Sequence, residues 1–449
     1  MKIFNTIFLV CVCSVCFAGK VDDCHRIKPL ANDCKVLYKV EDPVNSCIYD
    51  PAIAVCPNGR IIGSFSVGGG GASKIAEVKN GGPGFIYTSD DDGENWVYRK
   101  NFDLIHFRPF VAGDKLYMIG HRGNLGILSS DDWGSTWSKK VNLTDKQVWH
   151  GSATNVWYKD NYVYLVMERE AKGDMKGGWK VAELIPVLMR GDMTKDLTKR
   201  ESWTFASEMP FYKAVNDKEL EWLGVPFYPS FYPDMYRTKR TYIRKNGTVG
   251  NIVSWPCGWL EANVVQILDP KHYWYDSTGH TFHIFMRFNS GISNIGCVMK
   301  AVEQKDGSIK TEFVTAPSGK KHFFVPLPGG QMKFSVVYDE KTKLYWMAGT
   351  QTTDSMTKAE LLDKDRFDLP YNERRRLVLH FSKNMIDWCF AGVISIGPSE
   401  KSARHYPQMV IKDDALLVMS RSGDLDSNDA HNGNIATFHK IENFRDLVY

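Results

Sequence analysis

This 449-residue chain has no strong charge of either sign: 56 Lys and Arg face 52 Asp and Glu, a formal net charge of +4. Bulk electrostatics therefore argue for neither nucleic acid nor an anionic membrane as a partner. After the first twenty residues no apolar run is long enough to span a bilayer. Cysteine is also scarce. Three of the ten (Cys11, Cys13 and Cys16) crowd the N-terminus, leaving Cys24, Cys34, Cys47, Cys56, Cys257, Cys297 and Cys389. No two of these form C-x-x-C, which argues against a zinc site, and nothing around them marks an activated thiol. Neither a metal nor a cofactor is expected.

Residues 1–19 read as a secretory leader. Met1-Lys2 supplies positive charge, Ile7 to Phe17 a largely apolar core, and Ala18-Gly19 a small-residue cut. The expectation is a secreted or periplasmic protein, 20–449. A lipid anchor is the lesser alternative, because no cysteine follows a good small-residue box. Export permits disulfides; Cys24/Cys34 and Cys47/Cys56 are the nearest pairings, sequence does not fix the connectivity, and the odd count leaves at least one free thiol or an intermolecular bridge.

What the chain does have is aromatic residues, 13% of the total with 13 Trp and 20 Tyr. A large β core accounts for most of them, and sugar stacking suits the rest. Two of the tryptophans end one octet written twice, S-x-D-x-G-x-[NT]-W. The copies are Ser89 to Trp96 and Ser130 to Trp137, 41 residues apart (130 − 89). Such an octet suits a tight turn between strands: the Asp accepts from backbone N–H groups, the Gly takes a positive φ, and the Trp closes over the turn. It resembles the Asp-box of sialidases and other BNR-repeat proteins. A repeat of about 40 residues implies a propeller blade.

Six paired apolar runs joined by turn residues follow one another. They begin at Asp50, Arg108, Ala153, Glu261, Met332 and Gln408, and each is followed by material for two more strands. A decayed copy of the box, one residue shorter, runs from Ser382 to Trp388 and marks the second half of the fifth unit. The expected fold is all-β, a six-bladed β-propeller of four-stranded antiparallel blades in a single domain. A seven-bladed propeller and a β-sandwich are the alternatives. An aromatic-rich insertion, about 210–256, interrupts the rhythm; it is either a plug on the propeller side or a wall of the binding pocket.

In a propeller the inner strand ends converge on one shallow cup. The residues expected there are Tyr49 and Asp50; Arg108; His150; Glu261 and Asn263; Gln331 and Lys333; and Arg404, His405 and Tyr406, with Arg287 on a second strand. Cations, a carboxylate, a His and a Tyr form the set needed to hold an acidic or polyhydroxy ligand and move a proton. Glu168 is an outside candidate for an acid.

Two of these stretches resemble sialidase blades. Trp259-Leu260-Glu261-Ala262-Asn263 followed by Phe285-Met286-Arg287 resembles the blade whose Glu opens one strand and whose Arg closes the next. Arg404-His405-Tyr406-Pro407 resembles the last blade, and Arg374 in Asn372-Glu373-Arg374 resembles a carboxylate-binding arginine. The resemblance implies Tyr406 as nucleophile, Glu261 as its base, and Arg287 and Arg374 as clamps on a substrate carboxylate. A phenol avoids the repulsion that a carboxylate nucleophile would meet from an anionic sugar. The sequence also departs from the pattern. Cys47-Ile48-Tyr49-Asp50-Pro51 has no Arg before its Pro, unless Arg108 substitutes from the next blade. The loop Val67 to Pro83, where the family bears its acid/base Asp, has none. Glu77, its only carboxylate, fills that role or is a solvated loop residue. The resemblance therefore implies an exo-acting glycoside hydrolase for a terminal acidic or unusual sugar, with carbohydrate as partner. A lyase on uronic-acid glycans and a non-catalytic carbohydrate-binding propeller are the rivals.

Overall fold

The computed structural model describes residues 28–171, 181–214, 220–221, 238–243, 249–254, 258–289, 293–353 and 373–449. The leader, Cys24, Cys257 and most of the aromatic insertion lie outside them. Of that insertion, Phe211 packs on Trp259, Phe288 and Phe323, and Thr238–Ile243 pairs antiparallel with Val249–Ser254.

Six antiparallel sheets form a six-bladed propeller. Blade 1 is Cys47–Val55, Ile61–Gly68, Gly84–Ser89 and Val97–Phe102; blade 2 is Ile105–Ala112, Lys115–Arg122, Asn124–Ser130 and Val141–Asn142. Blade 3 opens on a broken inner strand, Trp149–His150 and Trp157–Lys159, and continues through Tyr162–Glu170, Leu184–Asp192 and Trp203–Phe205. Blade 4 is Gly258–Val265, Thr281–Asn289, Ile295–Glu303 and Ile309–Glu312; blade 5 is Ser335–Asp339, Leu344–Thr350, Arg376–Ser382 and Cys389–Ile396. Blade 6 takes Arg404–Lys412, Ala415–Ser422 and Ile435–Glu442 from the C-terminal part, and its outer strand, Lys35–Lys39, from the N-terminal part. That exchange joins the first and last blades through backbone hydrogen bonds.

The apolar core is divided into layers between blades. Ile62, Ile86, Leu116 and Met118 fill the gap between blades 1 and 2; Ile119, Ile127, Leu165 and Val187 fill the next; Ile53, Phe65, Leu417 and Phe438 close the ring between blades 6 and 1. Second strands are therefore covered on both faces and read as nearly unbroken buried runs, as in Leu344–Thr350 and Ala415–Ser422. The outer Val97–Phe102 faces water along most of its length.

Each octet is the turn between a third and a fourth strand. Ser89 Oγ accepts from Gly93 N at 2.9 Å, Asp91 Oδ1 from Asn95 N at 2.9 Å, and Trp96 Nε1 donates to Gly93 O at 3.0 Å. The second copy repeats these contacts at Ser130, Asp132 and Trp137. Gly93 has φ 90°, and a Cβ there would meet the Phe438 ring of blade 6 at 2.1 Å. The decayed copy keeps the turn with Asn384 in place of the Asp.

Side chains also clip neighbouring inner strands together. Asn155 Nδ2 donates to Val264 O at 2.7 Å while its Oδ1 accepts from Val264 N at 2.9 Å, tying blade 3 to blade 4. Asn263 does the same from blade 4 to Phe334 O and Val336 N of blade 5, at 3.1 and 3.0 Å. Gln408 of blade 6 accepts from Ile53 N of blade 1 and reaches across the axis to Thr154 O of blade 3.

One of the two nearest cysteine pairings does not form. Cys47 and Cys56 are both buried free thiols, and the strand Cys47–Val55 holds them at opposite ends of one extended segment. Cys34 is a free thiol as well, its supposed partner lying outside the described residues.

Asn155→Ala and Asn263→Ala each remove a two-pronged clip and strand a buried N–H and C=O. Each should lower folding stability by about 2–4 kcal/mol, read as a lower guanidinium midpoint at unchanged m-value.

Candidate active site

Four inner strands carry the same irregularity at the cup. In each, two residues oppose one on the second strand, and the first of the two has a left-handed backbone. They are Asp50 (φ 40°), His106 (φ 50°), Glu261 (φ 56°) and Tyr406 (φ 53°). A bulge of this kind re-aims a side chain out of the sheet. All four line one cavity of about 900 Å³ at the axis. The register also pairs the residue just before each bulge with a polar partner on the second strand: Ser66, His121, Arg287 and Arg421. Blade 3 contributes a comparable cross-strand pair without the bulge, His150 opposite Glu168.

The blade 4–6 side is cationic. Arg287 Nη1 donates to Tyr406 Oη at 2.8 Å and to the Glu261 carboxylate at 3.2 and 3.3 Å. Its Nη2 donates to Asn289 Oδ1 at 3.1 Å and its Nε to Gln331 O at 2.8 Å, which fixes the guanidinium plane. The Arg421 guanidinium lies over the Tyr406 ring, 4.0 Å from its centroid, and 4.9 Å from that of Tyr49. Arg374 sits 5.9 Å from the same ring and bonds His405 Nδ1 at 3.0 Å. Burial pulls Arg374 down to about 10, so it stays charged at neutral pH. Beneath them Lys333 is buried 5.9 Å from the ring; burial lowers it to about 8, against the pull of Asp50 and Glu261.

The blade 1–3 side is built from carboxylate–histidine pairs. Asp50 Oδ1 accepts from Ser152 Oγ at 2.5 Å, and Oδ2 lies 3.1 Å from His106 Nε2. His106 Nδ1 meets His121 Nε2 at 3.2 Å. Burial alone would raise Asp50, but His106, Lys333, Arg421 and the Ser152 bond outweigh it and hold the carboxyl below its usual range. Burial pushes His106 down to about 4 and holds His121 well below its ordinary value. His106 is thus a neutral ring, donating to Asp50 and accepting from His121. His150 differs. Burial opposes its charge, but Glu168 at 3.5 Å, then Asp50 and Glu261, raise it above the ordinary value.

The residues singled out from the sequence divide into two groups. Tyr406, Glu261, Arg287, Arg374, His150, Asp50 and Tyr49 line the cavity. His405 and Gln331 stand behind it, bracing Arg374 and Arg287. Three expectations are corrected. Arg108 is no pocket cation: its guanidinium is buried against Thr154 Oγ1 and the carbonyls of Ser152, Asn155 and Val166, cross-linking blades 2 and 3. Arg404 is spent on Ser395 Oγ and the carbonyls of Ala403 and Gly423. Glu77 is exposed on the short helix Ala76–Gly81 and does not line the cavity. Nor do Glu261 and Tyr406 bond directly; Arg287 stands between them. The sequence reading missed Arg421 and His106. A signal existed: Arg421 lies near the end of its second strand as Arg287 does, and His106 stands two residues before Arg108 as Glu261 does before Asn263. Among the described residues no group of three or more His, Cys, Asp and Glu is placed to hold a metal ion.

No protein-family model and no curated protein matches the chain. Solved structures do resemble it. A protein of unknown function from Dyadobacter fermentans is 10% identical with TM-score 0.51, over 93% of this chain and 99% of its own. An α-L-arabinanase from Penicillium chrysogenum is 9% identical with TM-score 0.46, over 94% and 100%. A Trypanosoma rangeli sialidase is 12% identical with TM-score 0.48, over 94% of this chain but 59% of its own. At such identities the likeness is one of fold.

The buried neutral histidines give a pH prediction. His106 and His439 are held near 4, and His405 well below its ordinary value, all chiefly by burial. Below about pH 6.5 the unfolded chain binds protons that the folded chain refuses, so stability must fall as pH drops from about 6.5 toward 4. Melting temperature should decrease by several degrees between pH 7 and pH 5, and His439→Gln, remote from the cup, should flatten that slope.

Proposed function

We propose that this protein is an exported exo-acting glycosidase for a terminal sugar bearing a carboxylate, with Tyr406 as nucleophile and Glu261 as its base. One observation carries the reading: a single guanidinium nitrogen, Arg287 Nη1, serves both Tyr406 Oη and the Glu261 carboxylate. Arg287 donates to the phenol oxygen, so the phenol's own proton points elsewhere and negative charge on Oη is stabilised. Glu261 is the neighbouring carboxylate able to take that proton once a ligand draws the guanidinium onto its own carboxylate. Arg374 and Arg421 flank the same ring, completing a three-arginine wall that suits bidentate binding of a carboxylate. The anomeric carbon of a sugar so held would face Oη.

A second reading, a propeller that binds such a sugar without cleaving it, is favoured by the position of Glu77 outside the cavity.

Tyr406→Phe should lower kcat/KM at least about 1000-fold, roughly 4 kcal/mol, on aryl glycosides of acidic sugars, while ligand affinity stays within about tenfold. Arg421→Met should act mainly on binding, raising KM about 10- to 100-fold. Wild-type protein that binds such sugars and turns none over would leave the binding reading.

A further inference from the structure

Cleaving an unactivated glycosidic bond requires a proton for the departing oxygen. The cavity narrows the choice of donor. Glu261 stands on the nucleophile's side, with both oxygens on Arg287. Asp50 has one oxygen on Ser152 and the other on His106. His106 has both ring nitrogens engaged, by Asp50 and His121. His150 is a cavity-wall imidazole whose Nδ1 faces a carboxylate oxygen, Glu168 Oε2, at 3.5 Å. Its place in the ring suits a donor. Blades follow one another around the axis in chain order, so blade 3, with His150, faces blade 6, with Tyr406, across the cup. A sugar held by the arginines would lie between the two.

We propose that His150, positioned by Glu168, is the acid/base group of this site, in the role that the exposed Glu77 does not fill; this rests on the glycosidase reading above. In the first half-reaction the Tyr406 proton passes to Glu261 and Oη bonds the anomeric carbon. The glycosidic C–O bond breaks, its electron pair stays on the leaving oxygen, and that oxygen takes the His150 proton. In the second half, neutral His150 takes a proton from water, whose oxygen bonds the anomeric carbon. The bond to Oη breaks and the phenolate recovers its proton from Glu261.

The groups facing His150 support its charged form. Glu168 on its own blade, Asp50 on blade 1 and Glu261 on blade 4 are carboxylates, while His106 and His121 on blade 2 are neutral rings. Glu168 Oε1 also accepts from Ala262 N at 3.3 Å, so one carboxylate touches both the donor and the bulge that aims Glu261. Glu168 is thus a positioning residue.

The test compares leaving groups within each protein sample, so the folded fraction cancels. The probes are 4-nitrophenyl and methyl glycosides of N-acetylneuraminic acid and of glucuronic acid. For His150→Gln the expected loss is about 100- to 10,000-fold on the methyl glycoside and about tenfold or less on the 4-nitrophenyl glycoside. The wild type should lose activity as pH rises through the His150 pKa; His150→Gln should lose that limb, and Glu168→Gln should move it to lower pH. Equal losses on both probes, or no loss on either, would overturn the role of His150 while leaving Tyr406 as nucleophile. Wild-type protein that cleaves neither probe, with both sugars tested, would overturn the glycosidase reading and this inference together.

Discussion

A left-handed residue set inside a strand costs about 1–2 kcal/mol, and four inner strands bear that cost around one cavity. Asp50, His106, Glu261 and Tyr406 have no glycine-like freedom, yet each takes a φ between 40° and 56°. The bulge lets a side chain leave the plane where it would otherwise be buried between blades and enter the cup instead. The surrounding register holds it there, because regular pairing resumes two residues later, at Ala52, Arg108, Asn263 and Gln408. Three of those four, Arg108, Asn263 and Gln408, make the side-chain clips that fasten one blade to another. The same short segment therefore aims a functional group and closes the ring.

The cup that results is divided. Blades 4, 5 and 6 bring Arg287, Arg374 and Arg421 around one phenol, and cation–π contact with the Tyr406 ring offsets part of the repulsion among them. Blades 1, 2 and 3 bring carboxylates and imidazoles: Asp50 with His106 and His121, Glu168 with His150. Tyr49-Asp50 precede Pro51 with no arginine beside them, so this wall carries carboxylates where the opposite wall carries guanidinium groups. A ligand with a carboxylate at one end and neutral hydroxyl groups at the other matches both walls.

The fold was legible because its signals are local. The octets at Ser89 and Ser130 carry their turn chemistry within eight residues, and the alternation of apolar runs with turns gave all six hairpins. Blade closure by Lys35–Lys39 was not legible, since a five-residue strand whose partner lies some 400 positions away leaves no periodic trace. The site was half legible. Glu261, Arg287, Arg374 and Tyr406 stood in recognisable strings and do meet at one cavity. Arg108 and Arg404 looked equally good, but strand position alone does not say which face a side chain takes. Bulges shift that alternation by one residue, which turned Arg108 into the blade contact and put His106 into the cup. Reading cysteines by sequence distance failed at Cys47 and Cys56 because an extended strand keeps near neighbours apart.

Turnover at this cup requires its two walls to receive opposite ends of one sugar. A crystal structure of the protein soaked with glucuronate or N-acetylneuraminate measures this directly. The ligand carboxylate should lie on Arg287, Arg374 and Arg421, with the anomeric carbon about 3–3.5 Å from Tyr406 Oη. A carboxylate turned toward His106 and His150, or a ligand seated away from the axis, would contradict this placement.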